Sequence, residues 1–236
     1  MSGLVQVNNL EIRYGQKKAV SGVSFSVSSG EKIGLLGANG AGKSSTLKAL
    51  LGVVRPSRGE TTTLGRRPGD YRAFAEIGFA PEEGLPPDYL SGKEYLKFIS
   101  TLHDPAKKNH ESECLELLNW FELDPQKKIR DYSKGMKRRL ILAQAFVGNP
   151  KLLILDEPLN GLDPLMIIKL RDRLNEKSES HTAIIYSSHI LSEVEKVCTR
   201  MIMLHEGVVV LDSSVPDIIR DFGSVEKAFS EKVKNS

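Results

Sequence analysis

Eight consecutive residues constrain this chain more than anything else in it. Gly37-Ala38-Asn39-Gly40-Ala41-Gly42-Lys43-Ser44 fills every fixed position of the pattern G-x-x-x-x-G-K-[ST]. The run Ile33-Gly34-Leu35-Leu36 before it reads as a strand, and Ser44-Ser45-Thr46-Leu47-Lys48-Ala49-Leu50-Leu51 after it reads as a helix. Strand, glycine-rich turn and helix in that order open an α/β sheet. They also define a chemistry. Glycines let backbone N–H groups close around phosphate, and a helix N-terminus offers an anion a favourable field. Lys43 then supplies a point charge for β- and γ-phosphates, and Ser44 a hydroxyl ligand for Mg²⁺.

Composition narrows what surrounds this loop. With 33 Lys or Arg against 30 Asp or Glu, the 236-residue chain carries a formal charge of +3. That is no clustered basic footprint of the kind duplex binding requires, so nucleic acid is not expected as a partner and any phosphate chemistry is local. The length suits one large domain or two small ones. No stretch approaches the roughly 18 apolar residues of a membrane span. Cys114 and Cys198 lie far apart without metal-ligand spacing, and the opening residues lack the basic and apolar regions of a secretory signal. A reducing cytoplasm is the expectation.

Hydrophobic patterning then divides the chain as one domain over residues 1–236. From Leu4 to Val27 apolar residues alternate, as at Val23, Phe25 and Val27, which predicts an antiparallel β portion over residues 1–30. The α/β core is expected over 31–82. Past Pro81 and the break at Pro86-Pro87, Ser91-Gly92-Lys93-Glu94 has the form of a capping box. Two stripes at helical spacing follow, Tyr95, Phe98, Ile99 and Leu102, then Cys114, Leu117, Leu118 and Phe121. Residues 83–147 are therefore expected to form a helical subdomain inserted into the core, which resumes over 148–215. There Leu152-Leu153-Ile154-Leu155 reads as a strand buried on both faces. Asp163 and Pro164 start a helix whose buried face is Ile167, Leu170 and Leu174. Ala183-Ile184-Ile185-Tyr186 is another strand, and apolar runs on either side of His205-Glu206-Gly207 form a hairpin. Residues 216–236 read as a tail, polar and weakly helical from Ser224 and frayed at its last few residues.

Asp156 and Glu157 end the predicted buried strand, where open α/β sheets bind ligands. Asp156 is expected to hold Mg²⁺, directly or through water, and Glu157 to orient and polarise an attacking water. Ser133, 23 residues before Asp156, opens another helix within Tyr132-Ser133-Lys134-Gly135-Met136-Lys137-Arg138-Arg139. By itself this segment is a helix N-cap with a solvated basic face. In sequence order with the glycine loop and the acidic pair, it resembles the signature segment of ATP-binding cassette (ABC) ATPases.

The resemblance runs from Tyr14 to the hairpin near Gly207, and it assigns expected roles. Tyr14 matches the aromatic that stacks on adenine, although a strand tyrosine serves packing equally well. With Gly37, Asn39, Gly40, Ala41, Gly42, Lys43, Ser44 and Ser45 it would form the ATP site. Asn160-Gly161-Leu162-Asp163 resembles the D-loop, with Asn160 where Ser is commonest. His189, following Ser187-Ser188, matches the switch histidine that contacts the γ-phosphate, whereas a strand-end histidine taken alone would be structural. Two departures stand out. The signature reads Tyr-Ser-Lys-Gly-Met in place of Leu-Ser-Gly-Gly-Gln, and Glu82 occupies the Q-loop position where Gln is usual. Glu82 is carried over as an oxygen ligand of Mg²⁺, with a salt bridge to a membrane partner as its other reading.

As a whole, the resemblance implies an α/β P-loop ATPase core with an N-terminal antiparallel β subdomain and an inserted helical one. Two copies, or this chain and a similar subunit, would sandwich two ATP molecules. Lys43, Glu157 and His189 of one subunit would act with Ser133, Lys134, Gly135 and Met136 of the other. Closure and reopening would drive separate transmembrane permease subunits from the cytoplasmic face of the membrane, where this chain would be peripheral. The signature and the run Pro81-Glu82-Glu83-Gly84-Leu85-Pro86 look similar to the exporter branch with separately encoded permeases. The competing expectation is a soluble ABC-type ATPase acting on DNA or ribosomes, for which Lys137-Arg138-Arg139 is the sole sequence support.

Overall fold

Strands β1 (Val5–Tyr14) and β2 (Lys17–Val27) pair antiparallel about the turn at Gly15-Gln16 in a computed structural model that describes residues 3–106 and 109–234. Val5, Val7, Leu10 and Ile12 of β1 and Val20, Val23, Phe25 and Val27 of β2 are buried, largely with the two-residue period of a half-covered sheet. A third strand, β4 (Arg58–Thr63), pairs antiparallel with the other edge of β1. The antiparallel part is therefore not confined to residues 1–30. Arg58-Gly59-Glu60-Thr61-Thr62-Thr63 carries no apolar alternation, so its strand state comes from the ladder to β1 and from Thr63, whose buried hydroxyl donates to the Leu50 carbonyl at 3.0 Å.

The second sheet has the order β5 (Ile77–Ala80), β6 (Leu152–Asp156), β7 (Ala183–Ser188), β3 (Lys32–Leu36), β8 (Arg200–His205), β9 (Val208–Ser214). Its pairs are parallel except the closing β8–β9 hairpin. Every residue of β6 is buried, as its unbroken apolar run predicts. Helix α1 (Lys43–Leu50) follows β3. Ile12, Leu35, Leu50 and Ile154 fill the core on the side of the antiparallel sheet, and Leu36, Leu155 and Tyr186 face the helices on the other side.

After the short α2 (Tyr71–Phe74) come α3 (Gly92–His103), α4 (Glu111–Trp120) and α5 (Lys134–Ala145). The capping box of α3 forms, with Ser91 N–H donating to Glu94 Oε2 at 2.6 Å and Glu94 N–H to Ser91 Oγ at 3.2 Å. Cys114, Leu117, Leu118 and Phe121 are buried as their spacing predicts. The α3 stripe is different. Phe98 and Leu102 are 55% and 62% exposed, and the buried face is Tyr95, Leu96 and Ser100. Ser100 takes an inward position because its hydroxyl is satisfied there, 2.8 Å from His110 Nδ1 and 3.1 Å from Glu113 Oε2. Helix α5 places Leu140 and Leu142 in one cluster with Leu153 and Leu155 of β6, so it covers the parallel sheet as well as the helices.

Asp163 caps α6 (Pro164–Glu179) by accepting from Met166 N–H at 3.0 Å. Met166, Leu170 and Leu174 form its buried face, while Ile167 is only half-buried, a rotation of one position from the expected stripe. After α7 (Leu191–Val197), residues past the hairpin form α8 (Val215–Phe222) and α9 (Val225–Lys234). The tail reading is corrected here: Ile218, Val225 and Ala228 are fully buried in the main core cluster, because the polar sequence still supplies one apolar face per helix. The expected fraying of the last residues falls in part on 235–236, outside the described residues.

Candidate functional site

The strand order brings the motifs together. β7 lies between β3 and β6, and all three run in one direction. Register sets Leu36 beside Ser188 and Asp156 beside Ser187. The glycine loop after β3, His189 after β7 and Asp156-Glu157 at the end of β6 therefore emerge at one carboxyl edge, the usual ligand edge of a parallel sheet.

Backbone crowding explains the loop's glycines. Gly42 has φ 103°, and a Cβ there would stand 2.7 Å from the Ala19 carbonyl oxygen. At Gly37 the same atom would meet the Leu204 carbonyl oxygen at 2.4 Å. Neither backbone oxygen can swing aside, so a side chain would displace the loop. No side chain caps α1 at Gly42, which leaves its N-terminal field to a ligand. Lys43 is buried and donates to the carbonyls of Gly37 at 2.7 Å and Ala38 at 3.3 Å. A cleft of about 390 Å³ opens here between Asn39, Gly40, Gly42, Lys43, Ser44 and Ser45 of the loop, Tyr14, Lys17 and Ala19 of the β1–β2 hairpin, and Glu82 and Glu157. Gly37 and Ala41 shape the loop from behind, with the Ala41 carbonyl accepting from Gly207 N–H at 3.1 Å.

The acids are held by the neighbouring strand. Asp156, buried, accepts from the Ser187 hydroxyl. Glu157 has φ 48°, a left-handed conformation that costs a non-glycine residue energy, and its N–H is fixed by the Ser187 carbonyl at 3.1 Å and hydroxyl at 3.3 Å. The buried Glu157 carboxylate reaches both ways, Oε1 toward Lys43 and Oε2 to within 2.8 Å of His189 Nδ1.

Ser133 is the N-cap of α5, accepting from Met136 N–H at 3.2 Å. Ser133, Lys134, Gly135 and Met136 do not line the Lys43 cleft. Lys134 instead borders a larger groove of about 890 Å³, with Asn160, Gly161, Glu83 and Leu85. A Cβ at Gly135 would be 3.2 Å from the Gly161 carbonyl oxygen, so the signature turn lies directly on the segment before Asp163. Glu82 borders both openings.

Arg138 is the residue that sequence reasoning misplaced. Read as part of a solvated basic face, it is 5% exposed. Its guanidinium donates to the carbonyls of Pro81 at 2.5 Å and Glu82 at 3.1 Å in the loop after β5, of Asp156 at 2.9 Å at the end of β6, and of Glu157 at 2.7 Å and Pro158 at 3.4 Å in the loop that follows it. Burial lowers its pKa, opposed by the charges of Asp156, Glu82 and Glu157. Helical spacing held a signal, since Arg138 shares its face with the buried Leu142 and Ala145 four and seven residues on. Arg139 reaches Glu122 at 3.4 Å, so the three basic residues do not make one exposed surface.

Residues 20–160 match the family described as ABC transporter. Over 205 residues the chain is 40% identical to an uncharacterized ABC transporter ATP-binding protein, all4389, of Nostoc sp.; the match covers 85% of this chain and 61% of that relative, so the chain spans less than two thirds of its length. It is 38% identical over 208 residues to the Nod factor export ATP-binding protein I of Burkholderia orbicola, covering 86% of this chain and 68% of the relative. A solved structure described as the ATP binding subunit of an ABC transporter superposes with a TM-score of 0.90 at 32% identity, over 97% of this chain and 99% of that one. On that match and these relatives, the chain belongs to the ABC transporter family.

Proposed function

We propose that this chain binds ATP in the Lys43 cleft and hydrolyses it as the nucleotide-driven subunit of a membrane transporter. The observation that carries this is the convergence of Lys43, Glu157 and His189 at one sheet edge, with Glu157 between the other two. Lys43 and the loop N–H groups would hold the phosphates, and the half-exposed ring of Tyr14 at the cleft offers a face for adenine. Glu157 would orient the attacking water, and His189, whose Nδ1 lies 2.8 Å from Glu157 Oε2, would stand beside the γ-phosphate. The Ser44 hydroxyl and the Asp156 and Glu82 carboxylates are hard oxygen donors that fit Mg²⁺, which when bound neutralises charge developing on the phosphates.

The signature turn and the cleft occupy separate surfaces of one chain, which supports a sandwich in which a second copy or a similar subunit supplies Ser133 and Gly135. Among the described residues no helix is long and apolar enough to cross a membrane. Transport would run through separate permease subunits, with this chain peripheral on the cytoplasmic face, as the family resemblance implies. A hollow of about 240 Å³ lined by Val53, Phe74, Phe79 and Ile99, the last on the same helix as exposed Phe98 and Leu102, would offer them a docking surface besides the groove at Glu82. Export is supported by the signature residues and by the Burkholderia relative named for export. The test is phosphate release from Mg-ATP by the purified chain. Turnover by the wild type that Lys43→Ala abolishes supports the reading, and equal rates in the two reject it.

A further inference from the structure

We propose that Arg138 is a positioning residue that holds the Glu157 backbone in its working conformation and ties it to helix α5. A guanidinium has five N–H donors, and here the acceptors are five backbone carbonyls, at the end of β6 and on the loops after β5 and β6. Because these oxygens are main-chain, the group fixes the course of both loops rather than the pose of a side chain. Glu157 is gripped at both ends: its N–H by Ser187 at 3.1 Å and its carbonyl by Arg138 Nη2 at 2.7 Å. Loss of the second grip lets the left-handed residue relax, which turns its carboxylate away from Lys43 and His189.

The same side chain links distant parts of the site. Ser133, the N-cap of α5, lies about 7.5 Å along the helix axis from Arg138 at 1.5 Å per residue. A displacement of α5 at its N-terminus must therefore move the carbonyls of Glu82 and Glu157 or break their bonds to Arg138. In the proposed sandwich, this is a direct connection between the nucleotide met by Ser133 and the acid acting on the other nucleotide.

The kinetic arm of the test rests on the ATPase reading; the structural arm does not. In the full chain, Arg138→Lys keeps the charge but offers three donors from one atom, too few and too localised to span both loops. Arg138→Gln is the second variant, for use where a buried ammonium prevents folding. Amide exchange at Glu157 and Asn160, whose N–H groups bond Ser187 at 3.1 Å and Glu157 at 3.3 Å, is expected to accelerate at least about tenfold, with β3 and β7 unchanged. For hydrolysis, kcat is expected to fall at least about tenfold with KM for ATP within about twofold, and the change is expected to add no further loss in a Glu157→Gln background. Unchanged exchange at those two amides, a uniform rise along α5, or kinetic losses additive with Glu157→Gln would each overturn the proposal. If the wild type hydrolyses no ATP, the ATPase reading fails and amide exchange alone decides the role of Arg138.

Discussion

Lys43 Nζ lies 3.7 Å from Glu157 Oε1, with the two side chains only 6% and 5% exposed. A buried ion pair survives desolvation only when its remaining hydrogen-bonding capacity is met, as the Gly37 and Ala38 carbonyls do for Lys43 and His189 does for Glu157. On the proposed function, a triphosphate entering the cleft would compete with Glu157 for the same ammonium. Lys43 and Glu157 would then begin as an ion pair and part as the phosphates enter between them.

Replacing Glu157 by Gln keeps the shape and removes the charge. ATP affinity is expected to hold or rise, because a carboxylate facing the incoming phosphates is gone. Hydrolysis is expected to slow at least about a hundredfold, since a positioning base contributes mainly in the transition state. Binding without turnover should accumulate a dimer on Mg-ATP, visible by light scattering; a variant that stays monomeric or turns over at the parent rate contradicts the assignment.

Ser133 is exposed and lies outside the Lys43 cleft, so its effect on chemistry should require a second subunit. Ser133→Arg is expected to abolish turnover while leaving ATP affinity of the isolated monomer unchanged. Loss of the cap bond to Met136 N–H should lower stability by about 1 kcal/mol, and Ser133→Ala isolates that part in thermal unfolding. A fall in monomer affinity as large as the fall in turnover would place the complete site within one chain.

Glu82 borders the cleft and the larger groove, so its two readings can be separated by one titration. If its carboxylate is a Mg²⁺ ligand, Glu82→Gln keeps a carbonyl oxygen and should cost at most about tenfold, ~1.4 kcal/mol, at saturating Mg²⁺. The Mg²⁺ giving half-maximal hydrolysis should rise. An unchanged midpoint rejects the metal role and favours contact with a membrane subunit.

The α3 capping box predicts a pH dependence. Ser91 N–H, the Lys128 ammonium and the Ser91 hydroxyl, in that order of influence, hold the Glu94 carboxyl at about 2 against an ordinary 4.5. Between these values the unfolded chain binds more protons, so Glu94's contribution is complete above about 4.5 and is lost as the pH falls through about 2. Thermal unfolding from pH 6 to pH 2 should show a shallower fall for Glu94→Gln than for the wild type. Parallel curves would show that Glu94 gains nothing from folding.

The glycine loop, the acids at the end of β6, the caps at Ser91, Ser133 and Asp163 and the buried run Leu152–Leu155 were all legible in the sequence, because each answers a local demand. Tight phosphate turns need glycine, helix starts need a short polar acceptor, and a strand covered on both faces needs unbroken apolar residues. Proximity was different. Nothing local in Lys43 or Glu157 dictates a separation of 3.7 Å, which follows from β7 lying between β3 and β6. The polar strand β4 is held by its ladder to β1 and Thr63's bond to Leu50, and Ser100 sits on the inner face of α3, with Phe98 and Leu102 outside, where His110 and Glu113 satisfy its hydroxyl. Arg138 marks the boundary most clearly: its sequence neighbours announce a solvated basic helix face, whereas the carbonyls it satisfies come from loops brought within reach by the folded sheet. Hydrophobic spacing and capping are written in a few adjacent residues, but the satisfaction of a buried charge depends on partners tens of residues away, and only the tertiary structure supplies them.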